Sequence, residues 1–455
     1  MENPRQNSRT PRRAPWPLLL ARLFGRLPDP LGFFLDWATH YGDVVDLTFG
    51  PRTYLLNNPE DIRYVLEVNH LNYTKTRRLT NRSGQILSGK GLLTSSGTAA
   101  LRQRRILQPI FARSTIAEFG EVMVNCTEQM LARWHPGAEL DIAAAMLTLT
   151  QQVMGKTLFS LDLLGEGQEL ANAMKVRRRY IQHYFGFPFL LPLPGYLPTR
   201  TNRKYRQAML CLDQTIHGMI SARRTSAVLP QDILSLLMQA QDRDGVPLHD
   251  EQIRDEALTI ATTGYETIGL ALAWTWYLLS QNPDAARALT AELQTELGGR
   301  TPTVGDVAKL RYTEMVFAEG LRLYPPTWIF VRVAQQADVL PSGVQIPAGT
   351  KLYLCPYTMQ RNPRYFPAPE RFDPERFAES AKQARPRFAY FPFSGGPRVC
   401  LGQGFALLEG VLVLASMAQR VSLALLPGQR IVPTPGLTLW PKHGIRMRVQ
   451  TRSLG

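Results

Sequence analysis

The sequence is poor in cysteine. Its 455 residues include four cysteines that lie far apart and form no Cys-x-x-Cys pair: Cys126, Cys211, Cys355 and Cys400. A disulfide framework uses more cysteines in a shorter chain, and a structural zinc site needs about four closely spaced ligands. The spacing therefore argues against both, and it indicates a reducing compartment. We expect a cytoplasmic protein.

The sequence also lacks an apolar run that predicts a membrane span. Residues 257–280 come nearest to one, with a single formal charge in 24 residues. Glu266 and four threonines interrupt its first half, and a carboxylate at the centre of a bilayer costs about 2.5–3.5 kcal/mol. The run therefore predicts a buried helix of a globular protein.

Basic residues exceed acidic ones, 52 against 37, for a net charge of +15. We find no nucleic-acid-binding module and no basic segment interleaved with aromatic residues, so an acidic protein partner fits better than nucleic acid. Residues 1–27 form a basic leader whose apolar stretch ends at Arg22, too short for a secretory signal. We expect this leader to be disordered or to make weak contact with a membrane surface.

Two patterns follow the leader. Helical spacing dominates from Pro59 to about Arg322, and short strand-like segments with proline turns follow Pro325. No linker divides the chain, so we expect residues 28–455 to form one domain. Residues 184–198 carry four prolines and five aromatic residues, which is typical of an apolar loop at a binding mouth or contact surface.

Cys400 lies in the segment FPFSGGPRVCLGQG, residues 391–404. Glycines on both sides allow backbone N–H groups to approach its sulfur, and Arg398 adds positive charge, so the surroundings favour a thiolate. A single thiolate does not complete a zinc site, but it can be the one axial protein ligand of a haem iron. The alternative, a cysteine buried for packing, fits this loop poorly.

The predicted buried helix carries a second candidate. Glu266 and Thr267 stand side by side in mid-helix, after Gly264, where they contribute little to helix propensity. The pair predicts a proton relay into a buried site. Two alternatives stay open: the small residues of this helix serve close helix packing, and the Thr267 hydroxyl bonds to the carbonyl of Thr263.

A third candidate is the pair Glu319 and Arg322, which the i,i+3 spacing allows to form an ion pair. Most such pairs are solvated and contribute little. Apolar neighbours and a following Pro-Pro stop indicate burial, with Arg376 as a further partner. A buried pair of this kind locks a fold more than it adds stability.

Taken together and in this order, these residues resemble the cytochrome P450 family, the haem-thiolate monooxygenases, in their soluble bacterial type. The cysteine loop matches F-x-x-G-x-R-x-C-x-G at Phe393, Gly396, Arg398, Cys400 and Gly402. The helix motif is matched by Gly264, Glu266 and Thr267, and the E-x-x-R and P-E-R-F motifs by Glu319, Arg322 and Arg376. The resemblance covers residues 28–455.

The resemblance implies a mainly α fold, a triangular helical prism with a small β-rich lobe. It implies that Cys400 is the axial ligand of the iron of haem b, and that Thr267 and Glu266 deliver protons. Three arginines are expected to hold the haem propionates: Arg398, Arg332 and Arg104.

The chain departs from the family pattern at three positions. Ala100 stands where tryptophan or histidine is usual, so we expect one propionate contact to be missing. Thr263 replaces a usual alanine or glycine and brings bulk and a hydroxyl near the oxygen site. Ser394 replaces a common glycine of the cysteine loop, which is a milder change.

The resemblance implies insertion of one oxygen atom from O2 into a hydrophobic small molecule such as a fatty acid, a terpenoid or a polyketide. The residues expected to line the substrate pocket are Thr263, Thr327, Trp328 and Ile329. Two alternatives stay open: a reductant-independent haem-thiolate isomerase or peroxygenase, and a non-enzymatic haem-binding protein. The intact Glu266–Thr267 pair favours the monooxygenase.

The chain has no flavin or iron–sulfur segment, so we expect electrons from a separate acidic ferredoxin or flavodoxin with its reductase. The expected docking surface is a basic cluster of Arg102, Arg104, Arg105 and Arg113.

Overall fold

The structure, a computed structural model, describes residues 11–14, 29–48, 50–81, 84–85, 89–186 and 197–451. Helices make up 55% of it and the sheets are small, so the predicted mainly α fold is confirmed. The helices are α1 (Pro30–His40), α2 (Pro59–Arg63), α3 (Arg77–Thr80), α4 (Gly97–Leu107), α5 (Arg113–Ala117), α6 (Gly120–Leu131), α7 (Ile142–Phe159), α8 (Gln168–Gly186), α9 (Arg200–Arg224), α10 (Ile233–Gln239), α11 (Asp250–Gln281), α12 (Pro283–Leu297), α13 (Arg311–Leu323), α14 (Pro356–Met359), α15 (Glu379–Gln383) and α16 (Gln403–Arg420).

The strands are short, and several come from distant parts of the sequence. They are β1 (Arg12–Arg13), β2 (Val44–Asp46), β3 (Thr53–Leu56), β4 (Tyr73–Thr74), β5 (Glu139–Asp141), β6 (Phe330–Ala334), β7 (Asp338–Val339), β8 (Gln345–Ile346), β9 (Lys351–Leu354), β10 (Val421–Leu425), β11 (Pro433–Pro435), β12 (Leu439–Pro441) and β13 (Arg446–Thr451).

The protein divides into two compact units. The first consists of Met1–Arg77 and Ala318–Cys400, and the second of Arg78–Phe317 and Leu401–Gly455. The first holds the sheet β1-β2-β3-β9-β6-β4 and the pair β7-β8. The second holds most of the helices, the sheet β10-β13-β5 and the hairpin β11-β12. That residues 28–455 form one domain stays a prediction.

The main sheet of the first unit fixes the position of Arg332. β6 pairs antiparallel with β9, and Arg332 lies opposite Leu352. Because side chains alternate along a strand, Arg332 and Ala334 share the buried side of β6. The apolar core beside this sheet includes Phe388 and Phe391, which precede the cysteine loop in sequence. Strand β6 thus fixes the position of Arg332, and the packed rings of Phe388 and Phe391 anchor the start of the segment that leads to Cys400.

One strand lies within the expected leader. β1 pairs in parallel with β2, with Arg12 opposite Val45 and Arg13 opposite Asp46. Residues 1–10 and 15–28 lie outside the described residues, so disorder or membrane contact of the leader stays a prediction. Strand β1 was not predicted, because a two-residue strand has no measurable periodicity.

Helix α11 is the centre of the second unit, and it contains residues 257–280, which the sequence predicts to be a buried helix. The His249 side chain caps it by accepting from the backbone N–H of Gln252 at 3.3 Å, and it ends just before Pro283. Most of its side chains are buried. A Cβ on Gly269 would lie 2.8 Å from Thr150 Oγ1, so glycine allows α7 and α11 to approach closely. The packing interpretation of the small residues therefore holds at this point of the helix.

A membrane-crossing helix is not found in the part of the chain that the structure describes, α11 included.

The predicted ion pair on α13 is fully buried in the first unit. Glu319 and Arg322 are both 0% exposed, and Arg322 donates from Nε and Nη2 to the carboxylate at 2.6 and 2.8 Å. Burial raises the pKa of the Glu319 carboxyl, and the hydrogen bonds from Arg322 oppose that rise. Arg322 also donates to three backbone carbonyls of the following segment: Gln360, Pro369 and Arg371.

Glu319 has two further partners. It accepts from the backbone N–H of Asp373 at 2.9 Å, and Arg376 Nε lies 3.6 Å from its Oε1. The structure therefore brings Glu319, Arg322 and Arg376 together, and the group ties the irregular segment 360–376 to the end of α13.

A double-mutant cycle tests this arrangement. Glu319→Met and Arg322→Met should each lower the free energy of unfolding by about 3–5 kcal/mol, because each leaves a buried charge without its partner. The double variant should lose clearly less unfolding free energy than the sum of the losses of the two single variants, as measured by urea unfolding. The exposed pair Asp284 and Arg287 has the same i,i+3 spacing and is the control, with coupling near zero. Additive costs at Glu319 and Arg322 would contradict the interpretation.

Candidate functional site

The cysteine loop of the first unit is closed by three backbone hydrogen bonds. Ser394 N–H donates to the Phe391 carbonyl at 3.0 Å, Val399 N–H to the Gly396 carbonyl at 3.0 Å, and Cys400 N–H to the Phe393 carbonyl at 2.9 Å. These bonds fold residues 391–400 back on themselves, and they leave Cys400 at the end of the loop.

Gly396 is required by its surroundings. Its φ is +65°, and a Cβ there would lie 1.9 Å from the Leu66 carbonyl oxygen, in the π-helical turn Tyr64–Val68. Any side chain would push the loop away from this turn. Ser394 adopts a left-handed φ of 62° despite its side chain, at the position where the family commonly has glycine.

Cys400 differs in exposure from the buried cysteines. Burial raises the pKa of the Cys126 thiol to about 12 and that of Cys355 to about 11, so both remain protonated. Cys355 also donates to the Trp328 carbonyl at 3.2 Å. The Cys400 side chain is exposed. Cys400, the cysteine of the motif, therefore has the accessibility that a metal ligand needs.

Two arginines of the first unit, Arg332 and Arg398, are candidates to hold an anionic group. Arg332 is 7% exposed, and it donates to the carbonyl of its own neighbour Val331 at 3.1 Å. Burial, with repulsion from Arg398, lowers the pKa of Arg332 to about 10, and burial also lowers the pKa of Arg398. Within the described residues neither forms an ion pair with a carboxylate. Two desolvated cations in one unit fit an anionic group such as a pair of propionates.

Replacing Arg332 by methionine should therefore have opposite effects on the haem-free and haem-loaded protein. The haem-free protein should gain about 1–3 kcal/mol in unfolding free energy, because a desolvated cation near another cation is removed. Haem loss to apomyoglobin should become about tenfold faster, because an anion partner is lost.

Arg361 provides the control, because it is equally buried but paired with Glu370 at 3.1 Å. Arg361→Met should destabilise the haem-free protein. A loss of stability in Arg332→Met comparable to that in Arg361→Met would contradict the view that Arg332 lacks a partner.

In the second unit, α11 presents a short polar strip. Thr263 is exposed and Thr267 half-buried, on a helix that is otherwise mostly buried. The Thr267 hydroxyl donates to the Thr263 carbonyl at 3.0 Å, as the open alternative anticipated, and the Thr263 hydroxyl donates to the Thr259 carbonyl at 2.8 Å. Gly264 leaves room for Met154 of α7, whose Cε would lie 2.2 Å from a Cβ.

Glu266 is held by a group of donors that sequence reasoning missed. It is 5% exposed, and its Oε1 accepts from Gln182 Nε2 at 2.9 Å, from Trp440 Nε1 at 3.2 Å and from the Thr438 hydroxyl. Arg178 Nε lies 3.7 Å from its Oε2. The nearest of these partners is 84 residues away in sequence, so no local pattern predicts them.

The remaining predicted residues of the second unit are more dispersed. Arg104 is half-buried on α4, and Ala100 is buried on the same helix. Gly402 stands at the N-cap of α16, with a Phe111 ring carbon 3.9 Å from where its Cβ would be. Arg102 pairs with Asp242 at 2.5 Å, so part of the positive charge of the expected basic cluster is neutralised. Arg105 and Arg113 are exposed.

The predicted substrate-pocket segment, residues 327–329, is half-buried in the first unit. The Trp328 ring packs edge-on against Phe34 of α1, with centroids 5.5 Å apart. That a pocket includes this segment stays a prediction. Most of the apolar loop at 184–198 lies outside the described residues.

Comparison with known proteins identifies the family. The family model described as Cytochrome P450 matches residues 11–449, so the chain belongs to the cytochrome P450 family. The resemblance seen in the motifs is thereby confirmed, and with it an oxidoreductase that contains haem iron and incorporates oxygen from O2. The match begins at residue 11, before the residue 28 expected from the sequence.

Curated relatives cover nearly the whole chain. Cyclooctatin synthase of Streptomyces melanosporofaciens is 36% identical over 93% of this chain and 90% of its own length. Pentalenene oxygenase of Streptomyces avermitilis is 31% identical over 94% of both chains. The crystal structure of the haem domain of cytochrome P450DA matches with a TM-score of 0.86 over 98% of both chains, at 23% identity, which shows the fold.

Proposed function

We propose that this cytochrome P450 oxygenates a terpenoid at an unactivated C–H or C=C bond, with electrons from a separate acidic ferredoxin or flavodoxin. The observation that carries the proposal is the first unit's combination of an exposed Cys400 with the buried Arg332 and the half-buried Arg398, neither of which pairs with a carboxylate among the described residues. This set suits an iron porphyrin with acidic side groups and suits few other ligands.

We assign haem b to the site on the chemistry of these residues. Bound haem supplies activation of O2 and transfer of one oxygen atom. Cys400 would hold the iron as thiolate, and the closed loop would fix the direction of its sulfur. Arg332, Arg398 and Arg104 would hold the propionates. The buried Ala100 offers no hydrogen bond to a propionate, so the arginines carry this task.

The residues of α11 provide for proton movement. The Thr267 hydroxyl now donates to a backbone carbonyl, and rotation about its side chain would turn the same proton toward a ligand on the exposed strip. Glu266, one residue earlier, would first take up a proton from solvent and then pass it to the hydroxyl to restore it. The Thr263 hydroxyl, bonded to its own backbone acceptor, adds a second polar group to the strip.

Two lines of support favour a terpenoid. The names of two relatives, pentalenene oxygenase and cyclooctat-9-en-7-ol 5-monooxygenase, denote terpenoid substrates. The apolar residues of the segment 184–198 fit a hydrophobic ligand such as a terpenoid. Arg105 and Arg113, both exposed, would attract an acidic electron carrier. The proposed compartment of the reaction is the cytoplasm.

The substrate class is tested with the purified, haem-loaded protein. Cyclic terpene hydrocarbons and alcohols should shift the iron spin state, whereas fatty acids, steroids and polyketides should not. With a ferredoxin, its reductase, NADPH and O2, the product should be heavier by one oxygen. Cys400→Ala, the control, should lose the spectrum of thiolate-ligated ferrous–CO haem. A wild-type spectrum in that variant, or product without reductant, would refute the proposal.

The relay role of Thr267 has its own test. Thr267→Ala should keep haem but lower the product formed per NADPH consumed by about tenfold or more. Without the hydroxyl, protons would no longer be delivered at the correct position, and O2 would be reduced to hydrogen peroxide instead. Thr262→Ala is the matched control, since its hydroxyl also bonds to a backbone carbonyl one turn earlier, that of Leu258. Unchanged coupling in Thr267→Ala, or an equal loss in Thr262→Ala, would count against the role.

A further inference from the structure

The second unit contains a cavity between the end of α6, strand β5 and the first half of α7. Its volume is about 350 Å³, and it opens to solvent. Binding sites for small molecules have this size and a mostly apolar lining. The described residues that line the cavity include none of α11 and none of the cysteine loop. Its apolar lining includes Cys126, Met130, Trp134, Leu140, Leu149 and Leu164.

Helix α7 separates this cavity from α11. The α7 residues at the cavity recur at helical spacing and share one face: Ala144, Ala145, Thr148, Leu149 and Gln152. Thr150 and Met154 face α11 instead, and the Thr150 hydroxyl donates to the Tyr265 carbonyl of α11 at 2.8 Å. Because successive residues are about 100° apart, positions two apart lie on nearly opposite faces. A ligand in the cavity would therefore not touch the polar strip of α11.

Two hydrogen-bond donors at this cavity have no partner. Arg133 is exposed and Trp134 is half-buried, and neither side chain forms a hydrogen bond or an ion pair within the part of the chain that the structure describes. A guanidinium and an indole N–H donate and do not accept. The two side chains adjoin the apolar lining, so they suit a ligand with an apolar body and an accepting head group.

The carboxylate in the lining, that of Asp141, is engaged elsewhere. Its Oδ1 accepts from the backbone N–H groups of Ala143 and Ile445, each at 3.0 Å. A Cβ on Gly444 would lie 2.3 Å from its Oδ2, so the second oxygen packs against the turn before β13. Burial raises the pKa of the Cys126 thiol to about 12, so this thiol adds no negative charge. The charge left to face a ligand is that of Arg133.

The lining is elongated. From Ala144 to Gln152 it follows α7 over eight residues, which corresponds to about 12 Å along the helix axis. An extended alkyl chain matches this length better than a compact ring system does. Met130 contributes an unbranched, flexible side chain that can adapt to such a chain.

We propose that this cavity binds a small amphipathic anion, a medium-chain fatty acid, with its alkyl chain along α7 and its carboxylate at Arg133 and Trp134. A carboxylate can accept two parallel hydrogen bonds from a guanidinium, and such charge-assisted bonds are strong. The net charge of +15 also favours an anionic ligand. The inference goes beyond the proposed function, since it involves no residue of the candidate haem site.

Photo-crosslinking of the haem-loaded protein locates the ligand. Decanoic acid with a diazirine on its chain should label residues 126–134 and 140–152, because the cavity lies between these segments. Unmodified decanoate should compete with this labelling. Decanol, which has the same chain without the charge, should compete about tenfold more weakly.

Two variants test the head group and the chain separately. Arg133→Gln should weaken decanoate binding about tenfold and leave decanol binding unchanged, because it removes the cation. Ala145→Trp should abolish the labelling, because its ring fills the cavity from α7. The controls are Arg243→Gln and Ala132→Trp, which make the same kinds of change at exposed positions outside the lining. Both controls should match the wild type.

Each outcome decides something. Absence of labelling in the two segments, or labelling that survives Ala145→Trp, overturns the site. Equal competition by decanoate and decanol, or unchanged decanoate affinity in Arg133→Gln, overturns the anionic head group. Because Arg133 is exposed, Arg133→Gln tests the proposal even if Ala145→Trp fails to fold. Decanoate should leave the iron spin state unchanged. A shift would count against the terpenoid selectivity of the proposed function, and the crosslinks would still decide whether the cavity binds decanoate.

Discussion

A thiolate that holds a metal has to be accessible and fixed in direction, and these two needs oppose each other. Accessibility favours a loop, whereas a fixed direction favours regular structure. The segment from Phe391 to Cys400 meets both by anchoring its start in the core of the first unit, closing three backbone bonds, and pressing Gly396 against the carbonyl of Leu66. The proposed chemistry depends on this loop, since it carries the sulfur that would bind the iron.

Helix α11 carries its close packing contacts and its open polar side chains on different faces. Gly264 and Gly269 bring it close to α7, which explains why small residues recur along it. The hydroxyls of Thr263 and Thr267 lie on a face left more open, where both are bonded to the helix backbone. The packing interpretation thus holds at the two glycines, whereas the proton relay of Glu266 and Thr267 stays a proposal.

Much of the fold was predictable because its signals are local. The bounds of α11 follow from periodicity and Pro283, and Glu319 meets Arg322 because i,i+3 neighbours face each other on a helix. Arg376 was expected as a further partner of this pair, and it lies beside Glu319. What escaped prediction is long-range: Gln182 and Thr438 reach Glu266 across 84 and 172 residues, and Asp242 reaches Arg102 across 140. A single sequence carries no trace of such pairings.

The unpaired charges of Arg332 and Arg398 among the described residues have a consequence for the abundance of the protein in the cell. Arg332 and Arg398 repel each other, and neither forms an ion pair with a carboxylate among the described residues. The native state should therefore reach its full stability only when an anionic cofactor binds. Binding that stabilises the native state alone shifts the balance between folded and degraded chains by mass action. Cellular abundance of this enzyme should therefore follow iron and porphyrin supply, even at constant transcription.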